Sequence, residues 1–234
     1  MISNLYLAMT AAEIHAAPTL PPRLGWMSCH FSPYSQGLSN LPEALPNGSL
    51  LILSDLIPIN SHDPRLIARQ LDEQAALHGC SGLLLDLQRY PEAQTKALVD
   101  YLIYNVSCPV VVSQCFAGEK CTLCLPPCPA HVPLTEYLAP WSGRDIWLEL
   151  SRSPEIIRLT GSGPAYLPLD TIPEGGSFTD PGLHCHYRIS AEPEKAEFQL
   201  WRTDDDLMAL AEEANGLGIR QFVGLYQELH TILI

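Results

Sequence analysis

The chain has 234 residues, enough for one large barrel or two small domains. Hydrophobic residues make up 47% and charged residues 17%, which excludes disorder of the whole chain. With 13 Lys and Arg against 26 Asp and Glu the formal net charge is −13, so no nucleic-acid partner and no anionic membrane partner is expected.

The first ten residues carry no basic charge, and Glu13 and His15 interrupt the apolar stretch that follows, so no signal peptide is expected. No window approaches the roughly 18 uninterrupted apolar residues of a membrane span. A cytoplasmic location is the resulting expectation, and the eight cysteines are then reduced thiols rather than a disulfide framework.

In chain order, residues 4–9 read as a strand or a sheet edge, and Leu24–Phe31 as a strand. Residues 49–56 are apolar on both faces, as in a strand covered on both sides. Asp63 and Pro64 then cap and open a helix with Leu66, Ile67, Leu71, Ala75 and His78 on one stripe, closed by Gly79. Gly82–Leu87 is a further buried strand, Pro91 opens a second helix, and residues 109–114 form the next strand. This β-α-β-α-β alternation requires a parallel sheet with helices outside.

The second half is less regular. Residues 120–125, 145–150 and 155–159 read as strands and 133–138 as a short helix. Residues 161–182, rich in Gly, Pro, Ser and Asp, read as a long loop. Residues 184–190 and 197–202 form a hairpin across a Glu-Pro-Glu-Lys turn. Asp204 or Asp205 caps a helix carrying Leu207, Leu210, Ala211 and Ala214, stopped at Gly216 or Gly218, and residues 221–226 form a last strand. About eight core strands favour a closed barrel. The fold expected is α/β, a single (β/α)8 TIM-like barrel over residues 1–234, with an irregular second half and a β-hairpin insertion.

No cofactor motif is present: Gly161-Ser162-Gly163 is too short for a phosphate loop, and no nucleophile elbow or dinucleotide fingerprint occurs. Cys121, Cys124 and Cys128, flanked by Cys115 and His131, begin with zinc-ligand spacing, but a second knuckle is missing and prolines stiffen the run. They read as packed thiols. His184 and His186 alternate on one strand without a carboxylate near in sequence, which again speaks against a metal. Trp26, Trp141, Trp147 and Trp201 read mostly as core.

Residues 82–91, Gly-Leu-Leu-Leu-Asp-Leu-Gln-Arg-Tyr-Pro, resemble a worn copy of the strand motif Asp-Gly-x-Asp-x-Asp-x-Glu of glycoside hydrolase family 18. The tail, from Trp201-Arg202-Thr203-Asp204 through a helix to Gly224, is similar to the closing segment of chitinase-like and spore-associated members. The resemblance implies a TIM barrel. It also implies roles: the motif's last acidic residue protonates the leaving glycosidic oxygen, and the one two positions earlier orients the substrate's acetamido group. In this alignment Gly82 and Asp86 match, Ser81 and Leu84 stand at two acidic positions, and Gln88 stands at the acid. A carboxamide cannot supply that proton.

Whether the chain is an enzyme therefore turns on Gln88. Three readings follow: a non-catalytic or degenerate family 18-like barrel that binds carbohydrate, an active hydrolase using another carboxylate, or a scaffold whose mouth residues 161–182 close. Functional side chains sit at the C-terminal ends of barrel strands. That rule selects Asp55, Asp86, Glu149 and Glu228 as candidate catalytic carboxylates, and Asp86, Gln88, Gln114 and Tyr226 as ligand-binding residues, Tyr226 lying in the floor. Asp55 and Asp86, on adjacent strands, could serve as acid and base or as a cation site; the plain alternative is one buried Asp bonded to backbone and one solvated Asp.

Overall fold

The computed structural model describes residues 2, 4–59, 62–89, 92–118, 121–173, 175–192 and 195–233, with the backbone alone at Leu233. The elements run β1 (Leu5–Met9), α1 (Ala11–Ala16), β2 (Leu24–Phe31), β3 (Leu38–Ser39), β4 (Leu50–Ser54), α2 (Pro64–His78), β5 (Gly82–Asp86), α3 (Ala93–Asn105), β6 (Val110–Ser113), β7 (Thr122–Leu125), α4 (Leu134–Leu138) and β8 (Ile146–Glu149). Five further strands follow: β9 (Glu155–Thr160), β10 (Gly163–Pro168), β11 (Phe178–Asp180), β12 (Cys185–Glu192) and β13 (Lys195–Trp201). The chain then continues through α5 (Asp204–Gly216), β14 (Gln221–Leu225) and α6 (Tyr226–Leu229).

Eight of these strands close a parallel barrel in the order β1-β2-β4-β5-β6-β7-β8-β14, and β14 pairs back onto β1. Residues 4–9 are thus an interior strand and not an edge. The expected TIM-like barrel is present; among the described residues no α-helix follows its second and fifth strands, and those after its first, sixth and eighth are short. No helix among the described residues is long and apolar enough to cross a membrane.

Strand alternation sorts the apolar residues into two cores. Leu51, Leu53, Leu83, Leu85, Val112 and Leu123 face outward, where Ile67, Leu71, Leu98, Leu102 and Leu210 of the helices cover them. Tyr6, Ala8, Leu50, Ile52, Leu84, Val111, Cys124 and Val223 fill the barrel interior. Both faces of these strands are dry, which is why they read as unbroken apolar runs. Helix α2 forms as expected: the Asp63 carboxylate accepts from Arg65 N at 2.9 Å, Pro64 opens the first turn, and Gly79 closes the helix at φ +61°.

The N-terminal end of the barrel is plugged. Tyr6 stacks on Trp147 with centroids 5.6 Å apart, and its hydroxyl lies 2.8 Å from Ser81 Oγ. Arg23 covers the Tyr6 ring at 5.3 Å and donates to Gln221 Oε1 at 3.2 Å. Any opening is therefore at the other end.

Between the seventh and eighth barrel strands lies a five-stranded antiparallel sheet, ordered β10-β9-β13-β12-β11. It is larger than the expected hairpin. Residues 161–182, read as a loop, contain β10 and β11. Both are edge strands with exposed side chains, where proline and polar residues cost little. The turn predicted at 192–195 lies partly outside the described residues, as does Pro91; α3 begins at Ala93. The cap of α5 is Thr203, not Asp204 or Asp205: its hydroxyl accepts from Asp206 N while Asp206 Oδ2 accepts from Thr203 N at 2.8 Å, a reciprocal capping box.

The inserted sheet is tied to the barrel by Arg202, which is 1% exposed. Its guanidinium donates to the carbonyls of Cys128 (2.6 Å), His184 (3.2 Å), Pro129 (3.3 Å) and Leu183 (3.4 Å). The chain leaves and re-enters the barrel at one point, where Arg202 N donates to Arg152 O at 3.2 Å.

Candidate functional site

A cavity of about 480 Å3 opens at the C-terminal end of the barrel. Its apolar wall comes from Ala8, Met27, Ile52, Leu84 and Val223, and its polar groups are Asp86, Gln88, Ser113, Gln114 and Glu149. Gln88, Gln114 and Cys115 are exposed at its rim. A concave apolar site with a few convergent polar groups is the usual form of a small-ligand site. No described residue of 161–182 lines it, so the expectation of a mouth closed by that segment is not met among the described residues.

The polar arc of the cavity is set by hydrogen bonds at the end of β5. Ser113 Oγ donates to Leu85 O at 2.9 Å and accepts from Leu87 N at 3.0 Å, holding the chain extended past the strand. In that extended run Asp86 and Gln88 share a face. Gln88 Nε2 donates to Asp86 Oδ1 at 3.1 Å. Burial pushes the Asp86 carboxyl up; the Gln88 hydrogen bond opposes this, and the charge of Asp55 adds to it.

Glu149 ends β8, beside Val223 of β14. Among the described residues its carboxyl has no hydrogen-bond or ion-pair partner. Burial, then the charges of Asp86 and Glu228, push it up to about 7. An unpaired carboxyl in a poorly hydrated wall is cheaper neutral than charged. Burial likewise raises the thiols of Cys124 and Cys115, so neither is an activated nucleophile.

The other strand-end candidates lie elsewhere. Asp55 is buried and accepts from Arg89 N at 2.7 Å, which makes it the backbone-bonded member of the Asp55–Asp86 pair. Glu228 accepts from Ser151 Oγ at 2.9 Å and Arg152 N at 3.2 Å, fixing the chain as it leaves β8. Tyr226 opens α6 against the outer core and packs on His230 with centroids 5.1 Å apart; it does not line the cavity. The cavity residues that the strand-end rule missed include Met27, brought in by an irregularity in β2 between Trp26 and Cys29.

The metal-like sequence clusters do not assemble. Among the described residues no three His, Cys, Asp or Glu side chains are grouped to hold an ion. His184 precedes β12 at φ +48° and pairs with Glu213 at 2.5 Å; His186 pairs with Asp206 at 2.8 Å. Both carboxylates come from α5, which no reading of the local sequence could supply. His131 pairs with Glu155 at 2.9 Å.

Fold and cavity together define a (β/α)8 barrel with an open, carboxylate-bearing mouth. No protein-family model matches the chain and no curated protein matches it by sequence. Among solved structures it is similar to glycoside hydrolase family 18 barrels. A Cycas revoluta family 18 chitinase, solved with Trp for Gly and Gln for Glu and in complex with (GlcNAc)4, has a TM-score of 0.62 at 10% identity, over 99% of this chain and 97% of that one. A family 18 N-acetylglucosaminidase from Paenibacillus barengoltzii gives 0.61 at 9% identity over 98% and 97%. The Bacillus cereus spore cortex-lytic enzyme SleL gives 0.56 at 9% identity over 94% and 70%. The chain thus has the fold that its sequence motif implied.

Proposed function

We propose that this chain is a degenerate family 18-like barrel that binds a carbohydrate in its mouth and has lost the family's own proton donor. The observation that carries this reading is the cavity itself: Asp86, Gln88, Ser113 and Gln114 offer hydrogen bonds along one side of an apolar wall. Sugars present the same pairing, hydroxyl edges around apolar ring faces. Gln88, at the acid position of the resembled motif, is already engaged with Asp86. That a neighbour bearing Gln for Glu is seen with (GlcNAc)4 supports the view that an amide in a family 18 barrel is compatible with sugar binding.

Titration calorimetry with (GlcNAc)4 tests the reading. Asp86→Ala is expected to weaken binding tenfold or more, since a half-buried carboxyl acceptor is lost, roughly 1.5–3 kcal/mol. Absence of binding by the unaltered chain overturns the proposal. So does (GlcNAc)4 hydrolysis that Gln88→Ala abolishes, because the family route would then be intact.

A further inference from the structure

Resting on the reading of the mouth as a sugar site, we infer that the sugar it selects carries a free ammonium group: an amino sugar without an acetyl group, held through its nitrogen by the carboxyl groups of Asp86 and Glu149.

The cavity wall is rich in hydrogen-bond acceptors and poor in donors. Ser113 commits its only hydroxyl proton to Leu85 O, and Cys115 its thiol proton to Leu87 O. Gln88 gives one of its amide protons to Asp86 Oδ1. The side-chain donors left to a ligand are the other Gln88 proton and the Gln114 amide. The open acceptor positions belong to Asp86, Gln88, Ser113, Gln114 and Glu149. A hydroxyl offers one proton and two lone pairs, so a ligand built of hydroxyls leaves many of these acceptors unanswered. An ammonium offers three protons and no lone pair.

The cavity also lacks a counter-charge. Among the described residues no Lys, Arg or His lines it. Arg89 and Arg152, each three residues past one of the two carboxyl groups, are engaged elsewhere: Arg89 donates to Leu56 O at 3.0 Å, and Arg152 pairs with Asp204 at 2.5 Å. The charged forms of the groups that interact with Glu149 are all negative: Asp86, Glu228, Cys124 and Tyr137. A ligand ammonium supplies the missing partner as a charge-assisted hydrogen bond and favours the ionised carboxylate. An acetylated nitrogen, with one proton and no charge, does not. The apolar wall of Met27, Ile52, Leu84 and Val223 suits a ring face, which makes the ligand a sugar rather than a bare polyamine.

Calorimetry of the full chain with (GlcNAc)4 and with its fully deacetylated counterpart (GlcN)4 is the test. (GlcN)4 is expected to bind about tenfold tighter or more, as one added charge-assisted hydrogen bond gives, and in competition with (GlcNAc)4. Glu149→Gln is expected to cut the ratio of the two affinities by about tenfold. Near pH 7 the unaltered chain is expected to release protons on binding (GlcN)4, because an ammonium draws the Glu149 carboxyl down from about 7. That release is read as an enthalpy that varies with the buffer's heat of ionisation, and it shrinks in Glu149→Gln. (GlcNAc)4 bound as tightly as (GlcN)4 overturns this inference and leaves the binding proposal standing. So does (GlcN)4 bound without competition from (GlcNAc)4, which would put the cation on the outer surface of a chain of net charge −13. An affinity ratio unchanged in Glu149→Gln also overturns it. Binding of neither tetramer overturns both.

Discussion

At the scale of single residues, the two most informative side chains are a carboxyl with no partner among the described residues and a guanidinium with four. Burial pushes the Glu149 carboxyl up to about 7 in the folded chain, against about 4.5 for an ordinary carboxyl. The folded state therefore holds more protons than the unfolded one between those values, and stability falls as pH rises through that window. Glu149→Gln removes the penalty. The variant is expected to match the unaltered chain at pH 4 and to exceed it at pH 8 by an amount on the order of 3 kcal/mol, from about 1.4 kcal/mol per pKa unit. Urea titration at both pH values reads this; a variant less stable at pH 8 contradicts the burial of a neutral acid. Arg202 is the opposite case. Arg202→Met keeps the apolar stem but leaves buried carbonyls of residues 128–129 and 183–184 without a donor. A loss of roughly 3 kcal/mol is expected, with amide exchange accelerated first in β12 and β13. Uniform exchange across the barrel would show instead that the sheet and barrel open together.

At the scale of elements, close approach explains where small residues are required. A Cβ on Gly224 would lie 2.7 Å from Leu150 O, so Gly224→Ala must move β14 or the end of β8. A loss of about 1–3 kcal/mol is expected in thermal unfolding. Gly216, with nothing within 4 Å of its Cβ position, serves as the contrast: Gly216→Ala in α5 is expected to stabilise by about 0.5–1 kcal/mol. The same contrast explains how far the sequence could be read. Barrel strands and α2 were legible because a strand dry on both faces, and a helix with Asp-Pro at its start and Gly at its end, carry local signatures. Strands β10 and β11 were not, because an exposed edge strand makes no demand for apolar alternation. In α5 the helix was legible but its cap was misplaced by one or two residues, since Thr203 and Asp206 cap reciprocally and three acidic residues in a row obscured it.

At the scale of the whole molecule, strand-end logic placed Asp86, Gln88, Gln114 and Glu149 around one cavity, because a parallel barrel directs every strand's C-terminal end to the same mouth. It could not say which way Asp55, Tyr226 and Glu228 turn once past their strands. That depends on loop amides and on α6, which the sequence specifies only through tertiary contacts. Nor could it pair His184 and His186 with the carboxylates of α5.

The pairing of β1 with both β2 and β14 has a kinetic consequence. On a ribosome, β1 emerges early, yet one of its two neighbours is the last barrel strand to be made. Until then β8 presents a bare edge, and the inserted sheet, built from local hairpins, can fold ahead of the barrel it interrupts. Circular closure must come late and across the longest sequence separation in the chain, so slow refolding and a need for chaperone protection of that edge are the natural cost of this topology.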